Sequence, residues 1–476
     1  MKILLINPPY TAEQRYGKDL AQFGPCTEPL GLAYVAGALE EAGHEVRIWD
    51  GQVENIELLD YITYEDYGDS IGVPISHEPC PSWYDLIGIT INTPSYGIVK
   101  SLCQVIKERF PDIPIILGGP HPTVMPEETL RDIPEADYVC VGEGEHLIAA
   151  IAKYGSKATY NGIIKAIPVP DLDSLPLPAR HLLPMKQYQI TASRNKGHHA
   201  YTVIVARGCP YQCTFCCRLH GRKVRFHSVE RVIQEIELLV RDYDAKEINL
   251  EADTVTTNRK WLYALCDALI DSSLNRRISW TCESRVDTVD EVLLRYMKQA
   301  GCWQISYGVE SGSQRLLDLI KKGITLRQVQ YAFEATKKVG INIRAFFMLG
   351  VPTETREESY ETIYFANRLR ANWSQFTICT PFPGTALFRY CTEYERGRLS
   401  ENYSDYRTHG GWSEGNLAYT PQGRTQSEMK ALQKEAYRKV YLRPGKVWQH
   451  ALKMRSLGQL WKNIKGAWVL MKTRFA

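Results

Sequence analysis

Apolar residues in this chain fall in short unbroken runs, separated by stretches in which they recur three and four positions apart. Lys2–Ile6 is the first run and ends in Asn7-Pro8-Pro9. Leu30–Ala42 then follows helical spacing and stops at Gly43, a helix terminator. Glu45–Trp49, Leu86–Ile91, Pro114–Leu117 and Tyr138–Val141 read as four more strands, with a helix to about Phe110 ahead of the fourth. A strand that is apolar throughout is buried on both faces, as in a parallel sheet covered by helices. Residues 1–150 are therefore expected to form a doubly wound α/β domain.

Residues 151–195 have mixed patterning. Pro168-Val-Pro170 and Leu175-Pro-Leu-Pro178 mark a proline-rich connector with little room for regular structure. From Tyr201 the alternation resumes. Strands are expected at Tyr201–Ala206, Glu247–Glu251, Ile278–Cys282, Trp303–Gly308, Ile343–Leu349 and Gln375–Cys379. Helices are expected from Ser228, as cap, to about Asp242, and at Arg259–Ser272, Val289–Ala300, Leu326–Val339 and Glu357–Arg370. About six strand–helix units over residues 196–390 fit a partial (β/α)6 barrel. Residues 391–476 form a mostly helical remainder: a looped cover, a helix Thr425–Val440 capped by Ser427, and a stretch with Trp448, Leu452, Leu457, Leu460, Trp461, Ile464, Trp468 and Leu470 at amphipathic spacing.

Composition narrows the class. The chain has 476 residues, 44% hydrophobic and 23% charged, ordinary for a globular protein of two or three domains. No apolar run reaches the ~18 residues that cross a bilayer, and the first residues lack a signal-peptide pattern. Thirteen cysteines are an odd and dilute set, which favours a reduced, cytoplasmic setting over disulfides. The net charge of +3 hides an asymmetry, because Tyr437–Ala476 holds ten Lys and Arg and no Asp or Glu. A basic, tryptophan-bearing amphipathic stretch suits peripheral contact with an anionic membrane, or packing with its basic face in solvent. No motif for reading nucleic acid accompanies that charge.

The candidate chemistry centres on Cys209-Pro-Tyr-Gln-Cys213-Thr-Phe-Cys216, directly after the strand from Tyr201. Three soft thiolates on one loop suit an iron–sulfur cluster, with one iron left open. A structural zinc would need a fourth ligand, and no local His or second CxxC supplies one. Cys217 adjoins Cys216 and reads as a bystander. Polar or permissive residues recur at the later strand ends: Glu251 and Asp253, Glu283 and Arg285, Glu310, then Gly350 and Pro352, with Arg344 inside its strand.

The cysteine spacing, with Phe215 before the third cysteine, resembles the radical S-adenosylmethionine (SAM) superfamily. The resemblance implies that Cys209, Cys213 and Cys216 hold a 4Fe–4S cluster whose open iron binds SAM. It also implies SAM contacts from Phe215, Glu251, Asp253, Arg285, Glu310, Arg344, Gly350 and Pro352. Glu310 would take the ribose, Arg344 or Arg285 the carboxylate, and the Gly350–Pro352 strand end the adenine.

The first half is similar to the cobalamin-binding domain, of flavodoxin-like strand order, that precedes the barrel in one large subgroup. Gly118-Gly-Pro-His-Pro-Thr123 and Val141-Gly-Glu-Gly-Glu145 carry that likeness. It implies cobalamin contacts from Asn7, Pro8, Thr93, Ser95, Gly118, Gly119, His121, Thr123, Gly142 and Glu143. The Asp-x-His-x-x-Gly segment of proteins with a cobalt-ligating histidine is absent, so the place of His121 is open between ligand and loop residue. The activity implied is methylation of an unactivated carbon after reductive cleavage of SAM. The alternatives are an oxidative cyclisation or rearrangement of a tetrapyrrole, lipid or natural product, and a catalytically silent regulator. The partners implied are a small-molecule substrate and an electron donor such as flavodoxin or ferredoxin, and the amphipathic tail leans towards a lipophilic substrate.

Overall fold

Aliphatic runs pair side by side in both halves of the chain. The computed structural model describes residues 1–10, 14, 26–53, 84–154, 162–188, 194–196, 199–395, 397–407 and 415–443. It divides into two units. The first comprises Met1–Ala12, Pro25–Gln189 and Arg218–His227, and the second Glu13–Gly24, Ile190–Cys217 and Ser228–Ala476.

In the first unit, β1 (Lys2–Asn7), β2 (Glu45–Asp50), β3 (Leu86–Thr90), β4 (Ile115–Gly118), β5 (Tyr138–Val141) and β6 (Ile163–Lys165) form one parallel sheet, ordered β2-β1-β3-β4-β5-β6. This is the expected doubly wound, flavodoxin-like order with one strand added. Ile3, Leu4, Leu5 and Ile6 are fully buried, which is why the pattern there is continuous rather than alternating. The order reverses between β1 and β3, and that reversal opens a crevice at their carboxyl ends. Helices α1 (Leu30–Glu41), α2 (Tyr96–Arg109), α3 (Pro120–Val124), α4 (Pro126–Asp132) and α5 (Glu145–Tyr154) make the crossovers and flanks. The connector proves more regular than its prolines suggested, because Ile163–Lys165 lies inside it and pairs with β5.

In the second unit, β7 (Ala200–Ile204), β8 (Glu247–Glu251), β9 (Ser279–Ser284), β10 (Cys302–Glu310), β11 (Asn342–Leu349) and β12 (Trp373–Ile378) lie parallel in chain order. Each is followed by a helix: α6 (Val229–Tyr243), α7 (Arg259–Asp271), α8 (Glu291–Gln299), α9 (Leu326–Val339), α10 (Arg356–Leu369) and α11 (Ala386–Glu393). This is the expected partial barrel. Side-chain caps start the helices: Ser228 accepts from the Arg231 N–H, and Thr325 and Thr355 form capping boxes with Gln328 and Glu358.

A last helix, α12 (Gln426–Tyr441), lies along the outer edge of β12. Its cap is Thr425, whose hydroxyl accepts the Glu428 N–H, not Ser427 as expected from sequence; Ser427 is already inside the first turn. Three of its side chains complete the strand's backbone. Tyr441 Oη accepts from Ser374 N–H at 2.8 Å and donates to Ser374 C=O at 2.9 Å. Tyr437 Oη accepts from Phe376 N–H at 3.2 Å, and Gln433 Nε2 donates to Phe376 C=O at 2.7 Å. The match is geometric: four helical residues rise about 6 Å and two strand residues about 6.7 Å. Among the described residues no helix is long and apolar enough to cross a membrane. The amphipathic stretch from Trp448 lies outside the described residues.

Candidate active site

The cysteine loop leaves the carboxyl end of β7 through Gly208, at φ +99°. It is pinned at Thr214, whose N–H donates to Ile320 C=O at 2.9 Å and whose C=O accepts Leu387 N–H at 2.8 Å. Cys209 is half-buried, Cys213 buried and Cys216 exposed. The hydrogen bond from Cys216, then Lys322 and Arg285, hold the Cys213 thiol down at about 6 against the opposing cost of burial. Cys216, which donates that bond, is pushed up. Burial pushes Cys209 up, and Asp253 adds to this. Cys217 turns its thiol to Pro383 C=O at 3.4 Å.

This donor set fits a 4Fe–4S cluster. Soft sulfurs share one loop, one is poised as a thiolate, and two cations stand beside it. Among the described residues no three His, Cys, Asp or Glu side chains close on a single ion. A cube binds its three sulfurs to three different irons, so it needs no such closure.

The cations are themselves locked. The Arg285 guanidinium lies 3.7 Å from the centre of the Tyr211 ring and pairs with Asp287 at 2.9 and 3.0 Å. It also donates to Lys322 C=O at 2.8 Å and comes within 4.0 Å of Cys213 Sγ. Lys322 Nζ meets Glu310 Oε1 at 2.8 Å and sits 5.6 Å from the centre of the Phe215 ring. Burial disfavours its charge, yet Glu310 and Cys213 keep its pKa above the ordinary lysine value. Glu310 is aimed by the backbone: the β10–β11 register shifts between Gly308 and Glu310, and Glu310 takes φ +67°. Gly308 makes room for the pair, since a Cβ there would lie 2.5 Å from Glu310 Oε1 and 2.7 Å from Lys322 Nζ.

The remaining sequence candidates divide. Glu251 and Asp253 are exposed at the end of β8. Gly350 takes φ +79°, where a Cβ would meet the terminal methyl of Met429, and Pro352 is buried. Arg344 belongs to a different group: it hydrogen-bonds Gln375 at 2.5 Å, stacks on Phe346 and feels Arg194 and Glu283. Lys322 and Tyr211 were missed by sequence reasoning. Lys321-Lys322-Gly323 reads as a solvated turn, and only the fold brings it to the cysteines.

In the first unit the candidate cobalamin contacts gather at the carboxyl edge of the sheet. Gly119, at φ +100°, has no room for a Cβ, which would lie 2.6 Å from Thr90 Oγ1. Thr123 Oγ1 donates to Gly119 C=O and accepts Gly142 N–H, tying two of the loops together. Ser95 closes a capping box with Asn92, and Asn7 Nδ2 donates to the buried Asp50. Glu143 is engaged by Arg225, by His220 at 2.9 Å and by Val169 N–H at 2.8 Å, so it tethers residues 218–227. His121 has no exposed surface, its Nδ1 is 3.2 Å from Thr93 Oγ1, and burial lowers its pKa to about 4. Glycine-edged loops at this edge fit a flat corrin, and the His121 imidazole lies buried beside Thr93 rather than on the surface.

The family model described as Radical SAM superfamily matches residues 203–366, and that described as B12 binding domain matches residues 80–152. An uncharacterized methyltransferase of Pyrococcus horikoshii is 35% identical over 461 residues, spanning 93% of this chain and 93% of that protein. An anaerobic magnesium-protoporphyrin IX monomethyl ester cyclase of Rubrivivax gelatinosus is 30% identical, over 82% of this chain and 70% of that one. Among solved structures, the radical SAM methyltransferase TsrM of Kitasatospora setae, with cobalamin and a 4Fe–4S cluster bound, shares the fold. Its TM-score is 0.65 at 15% identity, over 93% of this chain and 89% of that one.

Proposed function

The chain belongs to the radical SAM superfamily, in the branch that carries a B12-binding domain, and from that premise we propose that it methylates an unactivated carbon of a small molecule. It is a radical SAM enzyme with cobalamin as second cofactor. The observation that carries the reading is the cysteine loop at the end of β7, with Lys322 and Arg285 locked beside Cys213. Bound there, a 4Fe–4S cluster supplies the electron that splits SAM, and cobalamin supplies a methyl carrier.

Cys209, Cys213 and Cys216 would hold the cluster, while Lys322 and Arg285 offset its negative charge. Glu310 orients Lys322 and offers its second carboxylate oxygen to a ribose hydroxyl. Phe215, Glu251, Asp253, Gly350 and Pro352 complete the SAM site in this reading. The loops at Asn7-Pro8, Thr93–Ser95, Gly118–Thr123 and Gly142 would support the corrin. A one-electron donor of flavodoxin or ferredoxin type completes the reaction.

A second reading, oxidative cyclisation, is supported by the cyclase relative. Anaerobic reconstitution followed by a reductant-driven assay separates the two. Methylation yields S-adenosylhomocysteine beside 5′-deoxyadenosine; cyclisation yields 5′-deoxyadenosine alone. An intact cluster that cleaves no SAM would overturn both. A lipid-like substrate and peripheral membrane contact rest on the sequence from Trp448 onward. Equal liposome sedimentation of the full chain and a chain ending at Tyr441 would remove that part.

A further inference from the structure

Polar residues line the inside of the barrel in two adjoining rows. On β10, Tyr307 turns outward to Thr336 on α9, so Gln304 and Ser306 point to the opposite, inner face. The strand register then places Asn249, Thr281 and Gln304 side by side in one row, and Glu283, Ser306 and Arg344 in the next. Arg194 spans the rows, donating to Asn249 Oδ1 at 3.3 Å and Glu283 Oε1 at 3.2 Å. Thr281 Oγ1 donates to the same Asn249 oxygen at 2.9 Å.

Two members of this group are incompletely used. Gln304 is fully buried, yet among the described residues neither its amide nitrogen nor its oxygen has a hydrogen-bond partner. A buried carboxamide left this way is costly, so the position is built for pairing with something else. Arg344 is held from one side by Gln375, its only hydrogen-bond partner among the described residues, and stacks on Phe346 at 4.8 Å. Glu283 is the carboxylate beside both arginines among the described residues, and the neighbouring Glu247 accepts Lys196 N–H at 2.6 Å. One pleat along and one strand across puts Gln304 and Arg344 about 8 Å apart at Cα, a separation that one small substituent can bridge.

We propose that this inner face is the substrate subsite for an oxyanion, a carboxylate or a phospho group, with Arg344 and Arg194 taking the anion and Gln304 supplying a donor and an acceptor beside it. The inference rests on the enzymatic reading above and adds the substrate's chemical class. Arg344 is therefore assigned to substrate rather than to the carboxylate of SAM.

The test is calorimetric titration of the anaerobically reconstituted full chain at low salt, with inorganic phosphate in one arm and acetate in the other. Saturable binding of one probe is expected, about tenfold or more weaker in Arg344→Gln and restored in part by Arg344→Lys. Gln304→Leu should weaken the same probe while raising stability, because it removes an unpaired buried amide. Binding of neither probe by wild type overturns the proposal. So does equal binding by wild type and Gln304→Leu, which would leave the amide to an ordered water. The same preparations report 5′-deoxyadenosine. SAM cleavage without anion binding sinks this inference alone, and anion binding without SAM cleavage sinks the enzymatic reading alone.

Discussion

Replacing Glu354 by Gln should remove a pH dependence of stability that one buried carboxyl imposes. Glu354 follows β11 in the loop that carries Gly350 and Pro352, and only 5% of it is exposed. Burial raises its pKa from 4.5 to about 7, against the hydrogen bonds from Ser359 and Val351 N–H and the charge of Arg424. The folded chain thus holds a proton that the unfolded chain has released between these values. Stability from this group is complete below pH 4.5 and falls as pH rises through 7. A shift of that size is worth ~3 kcal/mol, at about 1.4 kcal/mol per pH unit. The substituted carboxamide would mimic the protonated acid, since its oxygen can accept the Val351 N–H and its NH2 can donate to Ser359. Wild type and Glu354→Gln should therefore be nearly equal near pH 4.5, and the variant more stable at pH 8. Denaturant midpoints of both proteins from pH 5 to 8 measure the difference. Parallel curves would refute the argument.

Lys322→Met should cost about 3–5 kcal/mol by leaving Glu310 buried and unpaired, with part recovered in the Glu310→Gln, Lys322→Met double variant; denaturant unfolding reads both. Tyr441→Phe should cost about 1–3 kcal/mol, because Ser374 loses the partner of both its backbone groups. Faster amide exchange confined to the Ser374 region would identify the cause. Gly119→Ala should lower both thermal stability and retained cobalamin, since its Cβ would press on Thr90 and Ile91 at a left-handed φ. Retention equal to wild type, measured by absorbance after gel filtration, would count against the glycine-edged cradle.

Both sheets were readable from sequence because parallel strands buried on two faces leave unbroken apolar runs, as at Ile3–Ile6. Strand β6 was hidden because three residues just ahead of a proline run are too few to show a period. Helix α11 follows a Pro-Phe-Pro-Gly turn that reads as the barrel's end. Of the site, the cysteine spacing carried its own signal, since three thiols on one loop have few other uses. Lys322 had none: its role depends on Gly308 leaving space and on the bulge that turns Glu310 toward it. Arg344 stood out as a charged residue in an apolar strand, whereas Gln304, inside Trp303–Gly308, was not singled out. Register alone decides which layer of the barrel each of them serves, and register is a long-range property.

The helix along β12 changes where this protein can be cut. A chain ending after α11 would hold all six strand–helix repeats, and a count of repeats would declare it whole. It would still offer Ser374 and Phe376 as bare N–H and C=O groups on a flat edge, a template for any extended segment, including one from its own copy. Self-association, not loss of fold, is the failure such a fragment would show first. The folding unit therefore reaches at least to Tyr441, and beyond it Arg443 still donates to Asn367 C=O at 2.7 Å.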